Sequence, residues 1–272
     1  MRLKEYLKKS LTKKEYELLP SSFDIVGDIA IFVEFPKELK KKEKKIAETL
    51  MHLHKNIKVV CKKTKKYAGK YRTPKLQVIA GEKRKETMYN ENGIRLLLDV
   101  EKVYFSPRLG TERQRIVNLV KPNENVLVLF AGCGPYTCQI AKKVKKITAI
   151  EANPIAHVYA LKNITLNKII NATVLKGDVK NVVPKLYETF DRVLMPAPKN
   201  AITYLKEALS VAKKGAMIHL YTFAKDEEFG SVKEEVLAQC KKLRRTCKIL
   251  GIARAGEYAP RVHRICVDFR VQ

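Results

Sequence analysis

The chain has no tryptophan, no Cys-x-x-Cys pair, too few acids to balance its bases, and no long apolar run. Each absence removes a class of protein. A membrane-spanning helix needs about 20 consecutive apolar residues, and no stretch approaches that length. Met1 to Lys9 is charged throughout and carries no secretory core, so a cytoplasmic protein with no membrane association is expected. The six cysteines (Cys61, Cys133, Cys138, Cys240, Cys247 and Cys266) lack the paired spacing of a zinc site, and no metal is expected. Reduced, buried thiols are the default. Cys133 and Cys138 are near in sequence, and a disulfide between them is left open.

The shortage of acids is the loudest global feature. Lys and Arg total 55 against 28 Asp and Glu, a net charge of +27. A surface laced with ion pairs would hold the two signs in rough balance. The excess points to a polyanionic partner, most simply a nucleic acid. A membrane surface fits less well, because the basic stretches are not tied to a strongly apolar helix face. Lys62 to Arg72 is the densest basic segment and interleaves tyrosines, a composition suited to contact with an RNA backbone. With 272 residues, 46% of them hydrophobic, the chain can bury one large domain and a smaller one.

Two regimes are visible along the chain. Residues 1–105 read as a small α+β module: a helix over Lys4–Leu19 stopped by Pro20, an apolar strand within Ser22–Val33 entered through a Gly27-Asp28 turn, a lysine-rich helix over Glu38–His52, and short strands at Ile57–Cys61, Leu76–Ala80, Glu86–Glu91 and Ile94–Asp99. From Ser106 onward, apolar strand-like runs alternate with helical patterns, as in a doubly wound, mostly parallel sheet. Two closing strands, Thr246–Arg254 and His263–Val271, predict an antiparallel pair at one edge.

The most informative segment is Val126-Leu-Val-Leu-Phe-Ala-Gly-Cys-Gly-Pro-Tyr-Thr137. An unbroken apolar run suits a strand buried on both faces, and Gly132 and Gly134 then permit a sharp turn and close ligand approach. A second run, Ile147–Ile150, ends at Glu151, where a βαβ nucleotide site places its ribose-binding carboxylate. There is no third fingerprint glycine and no phosphate loop. The pattern therefore favours an adenosyl ligand with little or no phosphate, S-adenosylmethionine being the obvious candidate. Phe130 and Ala131 lead into the turn and Ala152 follows the acid. Asp178 and Val179 follow the next strand, where an acid or a backbone N–H can meet the adenine edge, though Asp is equally a common helix cap. Asp191 to Lys199 contains Pro196 and Pro198, two prolines that would stiffen the loop at the carboxyl end of the fourth strand. Val103 to Arg115 combines aromatic residues with arginines suited to bases, phosphate or carboxylate.

Together, FDIVGDIAIF (23–32), VEKVYFSPRLGTERQRI (100–116), VLVLFAGCGPYT (126–137), AIEANPIAHVYALKNITLNK (149–168) and EYAPRVHRICVDF (257–269) resemble the archaeal and eukaryotic family that modifies the guanine at position 37 of tRNA. That family holds the guanine-N1 methyltransferases and the aminocarboxypropyltransferases of the wybutosine pathway. The resemblance implies a class I methyltransferase-like (Rossmann-type) α/β fold over 106–272, a tRNA-recognition role for 1–105, S-adenosyl-L-methionine as co-substrate, tRNA(Phe) as partner, and a monomer. It implies that Ser106 and Arg113 flank the methionine end of the cofactor, Glu151 the ribose, and Asp178 with Val179 the adenine. No general base is implied, and Tyr258, Arg261 and His263 fit strand packing or solvent exposure as well as an active face. Two departures bear on the reaction. The methyltransferases usually carry a further domain ahead of the FDIVGDIA block, which here starts at Phe23. They also place an asparagine after the fourth strand, where this chain has Pro196. Both departures favour transfer of the aminocarboxypropyl group. Guanine-N1 methylation and a non-catalytic tRNA-binding role are the alternatives.

Overall fold

The computed structural model describes residues 3–69, 71–196 and 201–272, with the backbone alone at 66–68. The chain divides into two compact units: one runs to Asn90 and adds Arg95–Pro107, the other comprises Glu91–Ile94 and Arg108–Gln272.

In the first unit, α1 (Leu3–Leu7) and α2 (Lys13–Glu17) replace the single helix expected over Lys4–Leu19. Thr12 breaks it: its hydroxyl accepts from the Glu15 N–H while the Glu15 carboxylate accepts from the Thr12 N–H. This reciprocal cap starts a new helix instead of continuing the old one. β1 (Asp24–Val26) and β2 (Ile29–Phe32) form a hairpin about Gly27, whose φ is +58°. A Cβ at Gly27 would lie 2.3 Å from the Met88 carbonyl oxygen, so only glycine fits that turn. α3 (Glu43–Leu53) is the crossover that lets β3 (Val59–Ala68) run parallel to β2, and β4 (Thr73–Gly81) returns antiparallel, giving the order β1-β2-β3-β4. Leu7, Phe32, Leu39, Ile46, Leu50 and Val60 form its core. β5 (Glu86–Glu91) and β6 (Ile94–Asp99) make a separate hairpin, with Asn92 and Gly93 both at positive φ in its two-residue turn.

The second unit contains α4 (Gly110–Leu119), β7 (Asn125–Leu129), α5 (Pro135–Ala141), β8 (Lys146–Glu151), α6 (Pro154–Leu166), β9 (Ala172–Lys176), α7 (Val179–Val182), β10 (Phe190–Met195), α8 (Leu205–Ser210), β11 (Ala212–Ala224), α9 (Phe229–Lys242), β12 (Cys247–Ala259) and β13 (Val262–Val271). Seven strands form one sheet in the order β12-β13-β11-β10-β7-β8-β9. β7 through β11 pair parallel, and β13 runs antiparallel to both β11 and β12. The doubly wound sheet with an antiparallel pair at one edge is thus the architecture present. β7 is buried at Val126–Leu129 because helices cover both its faces, and that is why it reads as a continuous apolar run. The order reverses between β7 and β10, the switch point at which such sheets open a crevice at their carboxyl ends.

Candidate active site

Phe130, Glu151, Asp178 and Pro196 each stand at the carboxyl end of one of the four adjacent parallel strands β7, β8, β9 and β10. The turn after β7 is built by backbone. Phe130, Gly132 and Gly134 have φ of +61°, +58° and +87°. A left-handed phenylalanine costs about 1–2 kcal/mol, and such strain collects at functional sites. The Ala131 N–H donates to the Ile150 carbonyl at 2.9 Å, and the Gly134 N–H donates to the Ala131 carbonyl at 3.0 Å. From the far side, the fully buried Asn163 amide donates to the Cys133 carbonyl at 2.9 Å. Gly134 then caps α5, with Pro135 in the first turn, where a missing N–H costs nothing.

Glu151 is 8% exposed. Oε2 accepts from the Gly132 N–H and Oε1 from the Asn153 N–H, each at 2.6 Å. The carboxylate therefore fastens the glycine turn to the start of α6. Burial raises its pKa, although the N–H groups of Asn153, Gly132 and Ala152 pull the other way. Three backbone N–H groups address the carboxylate, which offers about four lone-pair sites in all, so acceptor capacity remains for a ligand hydroxyl.

Asp178 caps α7 through the Lys180 N–H at 3.1 Å, and Val179 is buried behind it. Tyr204, which the sequence reading passed over, completes this side. Its ring packs edge-on against Phe130 at 4.9 Å between centroids, and the Lys180 ammonium stands 5.1 Å from its ring centre. Burial, Asp178 and Glu207 raise its pKa. No motif marked it, because its partners lie on three other elements.

Arg113 is 2% exposed and forks onto Glu91, with Nε and Nη2 donating at 2.5 and 2.7 Å. Gln139 also donates to Glu91, at 2.8 Å. Two of Arg113's nitrogens are thus committed within the protein. Ser106 belongs to the first unit, next to its last residue Pro107. Pro196 follows the buried Met195, while Ala197, Pro198 and Lys199 lie outside the described residues. In the Lys62–Arg72 segment, Lys62 pairs with Glu43, and the side chains of Lys66 and Tyr67 lie outside the described residues, as does Lys70. Tyr258 is exposed, Arg261 turns the chain between β12 and β13 at φ +60°, and His263 lies 3.4 Å from Asp226. Cys133 and Cys138 are free, buried thiols, each pushed up to about 12 chiefly by burial.

A buried polar chain runs through the same unit and was not foreseen. Arg115 forks onto Glu112 at 2.7 and 2.8 Å and donates to Asp268 at 2.6 Å. Asp268 accepts from His219 Nδ1 at 2.6 Å, and Arg192 Nη1 lies 2.6 Å from His219 Nε2. A guanidinium can only donate, so Nε2 accepts and the His219 proton sits on Nδ1. Arg192 in turn forks onto Glu124 at 2.7 and 2.8 Å. The Tyr221 hydroxyl donates to Glu112 at 2.6 Å and accepts from the Tyr136 hydroxyl at 3.0 Å. His219, Cys266 and Asp268 have ligand-capable atoms within 4.8 Å of one another. Arg115 and Arg192 already supply positive charge there, Arg192 takes the His219 Nε2 lone pair, and the Cys266 thiol donates to Asp268 at 3.1 Å.

A model described as the TRM5/TYW2 methyltransferase domain matches residues 87–250. The chain belongs to this family. A second model, the TYW2 N-terminal domain, matches residues 3–84. The chain is 42% identical over 254 residues to the tRNA (guanine(37)-N(1))-methyltransferase Trm5b of Pyrococcus abyssi, covering 93% of this chain and 76% of that protein. It is 32% identical over 279 residues to the tRNA(Phe) (4-demethylwyosine(37)-C(7)) aminocarboxypropyltransferase of Pyrococcus horikoshii, covering 99% and 96%. The crystal structure of P. horikoshii TYW2 in complex with MeSAdo superposes with a TM-score of 0.82 at 28% identity, over 99% of this chain and 97% of that one. The family therefore includes enzymes that transfer different groups within one fold.

Proposed function

We propose that the chain transfers the 3-amino-3-carboxypropyl group of S-adenosyl-L-methionine to C7 of the 4-demethylwyosine precursor at position 37 of tRNA(Phe). S-adenosylmethionine is the co-substrate, and the site suits it: a turn at positive φ admits close backbone approach, and Glu151 is a buried acceptor for hydroxyls. The Phe130–Gly134 turn would hold the methionine half, Glu151 with Ala152 the ribose, and Asp178 with Val179 the adenine. Arg113, forked onto Glu91, and Ser106 are assigned to the methionine end by family resemblance alone. The +27 charge suits an RNA substrate, and we assign the first unit to tRNA recognition.

Pro196 carries the choice of reaction. It stands at the end of β10, where the guanine-N1 methyltransferases place an asparagine, and it offers neither an amide side chain nor a backbone N–H. Methylation at N1 of guanine gains from such a donor, because the ring must be held while its proton leaves. C7 of the tricyclic precursor is an electron-rich carbon and needs less help. The sulfonium activates three carbons, and presentation decides which one reacts, since reacting atoms must be aligned at about 3–3.5 Å. In the proposed reaction C7 bonds to the γ-carbon, the γ-carbon–sulfur pair leaves on sulfur as a neutral thioether, and the C7 proton is lost. The 42% identity with Trm5b favours the second reading, methyl transfer to guanine N1.

A double-label experiment decides between them. The protein is incubated with precursor-containing tRNA(Phe), with unmodified tRNA, and with cofactor labelled in either the methyl or the carboxyl carbon. Carboxyl label entering only the precursor-containing tRNA is the expected result. Methyl label entering either RNA would overturn the proposal in favour of a methyltransferase. Tight tRNA binding with neither label transferred would identify a non-catalytic binding protein.

A further inference from the structure

Cys240 and Cys247 stand on opposite sides of the turn that joins α9 to β12. α9 ends at Lys242, Arg244 adopts φ +57°, and the Arg245 N–H donates to the Cys240 carbonyl at 2.9 Å. This folds the chain straight back, so that Cys247, the first residue of β12, packs against the same core cluster that contains Cys240. Each thiol acts on the other, Cys247 pushing the Cys240 thiol up and Cys240 pulling the Cys247 thiol down. They differ in access: Cys240 is 1% exposed, whereas Cys247 is half-buried. The other four cysteines are all buried.

We propose that Cys240 and Cys247 form a peroxide-sensitive dithiol that closes to a disulfide, tying the end of α9 to the outermost strand of the seven-stranded sheet. Cys247 is the attacking sulfur. Its greater exposure makes it the accessible sulfur, and the neighbouring Cys240 thiol and Arg245 charge favour its thiolate against the opposing effect of burial. Its sulfur takes one oxygen from a hydroperoxide, the O–O bond breaks, and the other oxygen leaves protonated as water or an alcohol. The Cys240 thiol then attacks the sulfenic sulfur. The S–S bond forms, the S–O bond breaks, and hydroxide departs with the Cys240 proton as water. With hydrogen peroxide, two thiols and one peroxide give one disulfide and two waters. Among the described residues β12 is an edge strand laddered to β13 and packed against α9 and α4, so the linkage would add a covalent tie to that edge.

The test uses the full chain, hydrogen peroxide, alkylation of remaining thiols, and tryptic mapping without reductant. Cleavage at Lys241, Lys242, Arg244 and Arg245 separates the two cysteines, so a linkage appears as a joined peptide pair that reductant releases. That pair is expected, with a melting temperature raised by a few degrees, roughly 2–8 °C, and restored by reductant. In Cys240→Ser, Cys247 should stop at the sulfenic acid and be trapped by dimedone. In Cys247→Ser, Cys240 should stay reduced. The proposal is overturned if, after peroxide, both wild-type cysteines are alkylated singly, if Cys247 proceeds to sulfinic acid without a joined peptide, or if either cysteine is joined elsewhere.

Discussion

The glycine turn and the buried polar chain lie in the same unit and are made in opposite ways. The turn is mainly backbone: three residues at positive φ, carbonyls and N–H groups tied to β8 and α6, and one carboxylate clamping it. Its parts fall within a short sequence span, from Phe130 to Asn163. The polar chain is made mainly of side chains, with Arg192 also donating to the Leu119 carbonyl, and its links join Tyr221 to Glu112, Arg115 to Asp268 and Arg192 to His219 across distances of 109, 153 and 27 residues. The turn can present a ligand because its polar groups retain capacity. The chain behind it saturates its charges against one another, which is how a low-dielectric interior tolerates them. The turn keeps acceptors open, whereas the polar chain ties α4, β10, β11 and β13 together, and each has its own way to fail.

The largest expected effect is therefore on the polar chain. Asp268→Ala leaves the Arg115 guanidinium and the His219 Nδ1–H without their shared acceptor. Breaking one partner of a buried ionic cluster typically costs about 3–5 kcal/mol. A large fall in the urea midpoint is expected, while the affinity of the remaining folded protein for S-adenosylmethionine changes little. Asp268→Asn, which keeps the shape and one acceptor, should cost less. Unaltered stability in both variants would show that these charges are not a structural unit.

Glu151→Ala inverts the pattern. Loss of a charge-assisted acceptor should weaken S-adenosylmethionine binding by roughly tenfold or more, or about 1.4 kcal/mol or more, measured by calorimetry. Stability should fall by less than in Asp268→Ala. The Gly132 and Asn153 N–H groups lose a partner, but the burial that raises the Glu151 pKa is also relieved. Affinity near that of the wild type would remove Glu151 from the ribose role and make it purely a clamp.

The same contrast explains what was legible in the sequence. The doubly wound sheet could be read because β7 and β8 are buried on both faces and so appear as apolar runs, and because Gly132 and Gly134 punctuate the chain where the backbone must turn. Glu151 and Asp178 were legible for similar reasons, since Glu151 ends β8 and Asp178 stands just past β9. Thr12 and Glu15 carried a capping signal that the amphipathic pattern of the first helix obscured. Tyr204 and the chain through Glu112, Tyr221, His219 and Asp268 carried no local signal. A histidine at position 219 in an apolar run is indistinguishable in sequence from one that has no ionic partner, and only the pairing of β11 with β13 brings it opposite Asp268. Arg113 shows the converse: family resemblance marked it for the cofactor, but the acid it forks onto, Glu91, lies 22 residues upstream at the end of β5.

The smallest effect expected is also the most specific to the polar chain. His219 is fully buried, and its pKa is lowered chiefly by burial, with the Arg192 and Arg115 charges adding to the shift and the Asp268 bond opposing it. In the unfolded chain the imidazole titrates near its usual value of about 6.5. As pH falls through that value, the unfolded state binds a proton that the folded state still refuses, so stability declines on acidification. Asp268 acts in the same direction but lower on the scale. Its folded pKa is depressed by His219 and Arg115 against the opposing effect of burial, so its contribution is complete above the usual carboxylate value and is lost only as pH falls below about 4. The two windows are separable. Urea midpoints measured between pH 7 and pH 5 should fall in the wild type and fall less in His219→Asn, whose amide can still donate to Asp268 but cannot titrate. Parallel curves would mean that the imidazole accepts its proton in the folded state, and that the Arg192 contact yields to it.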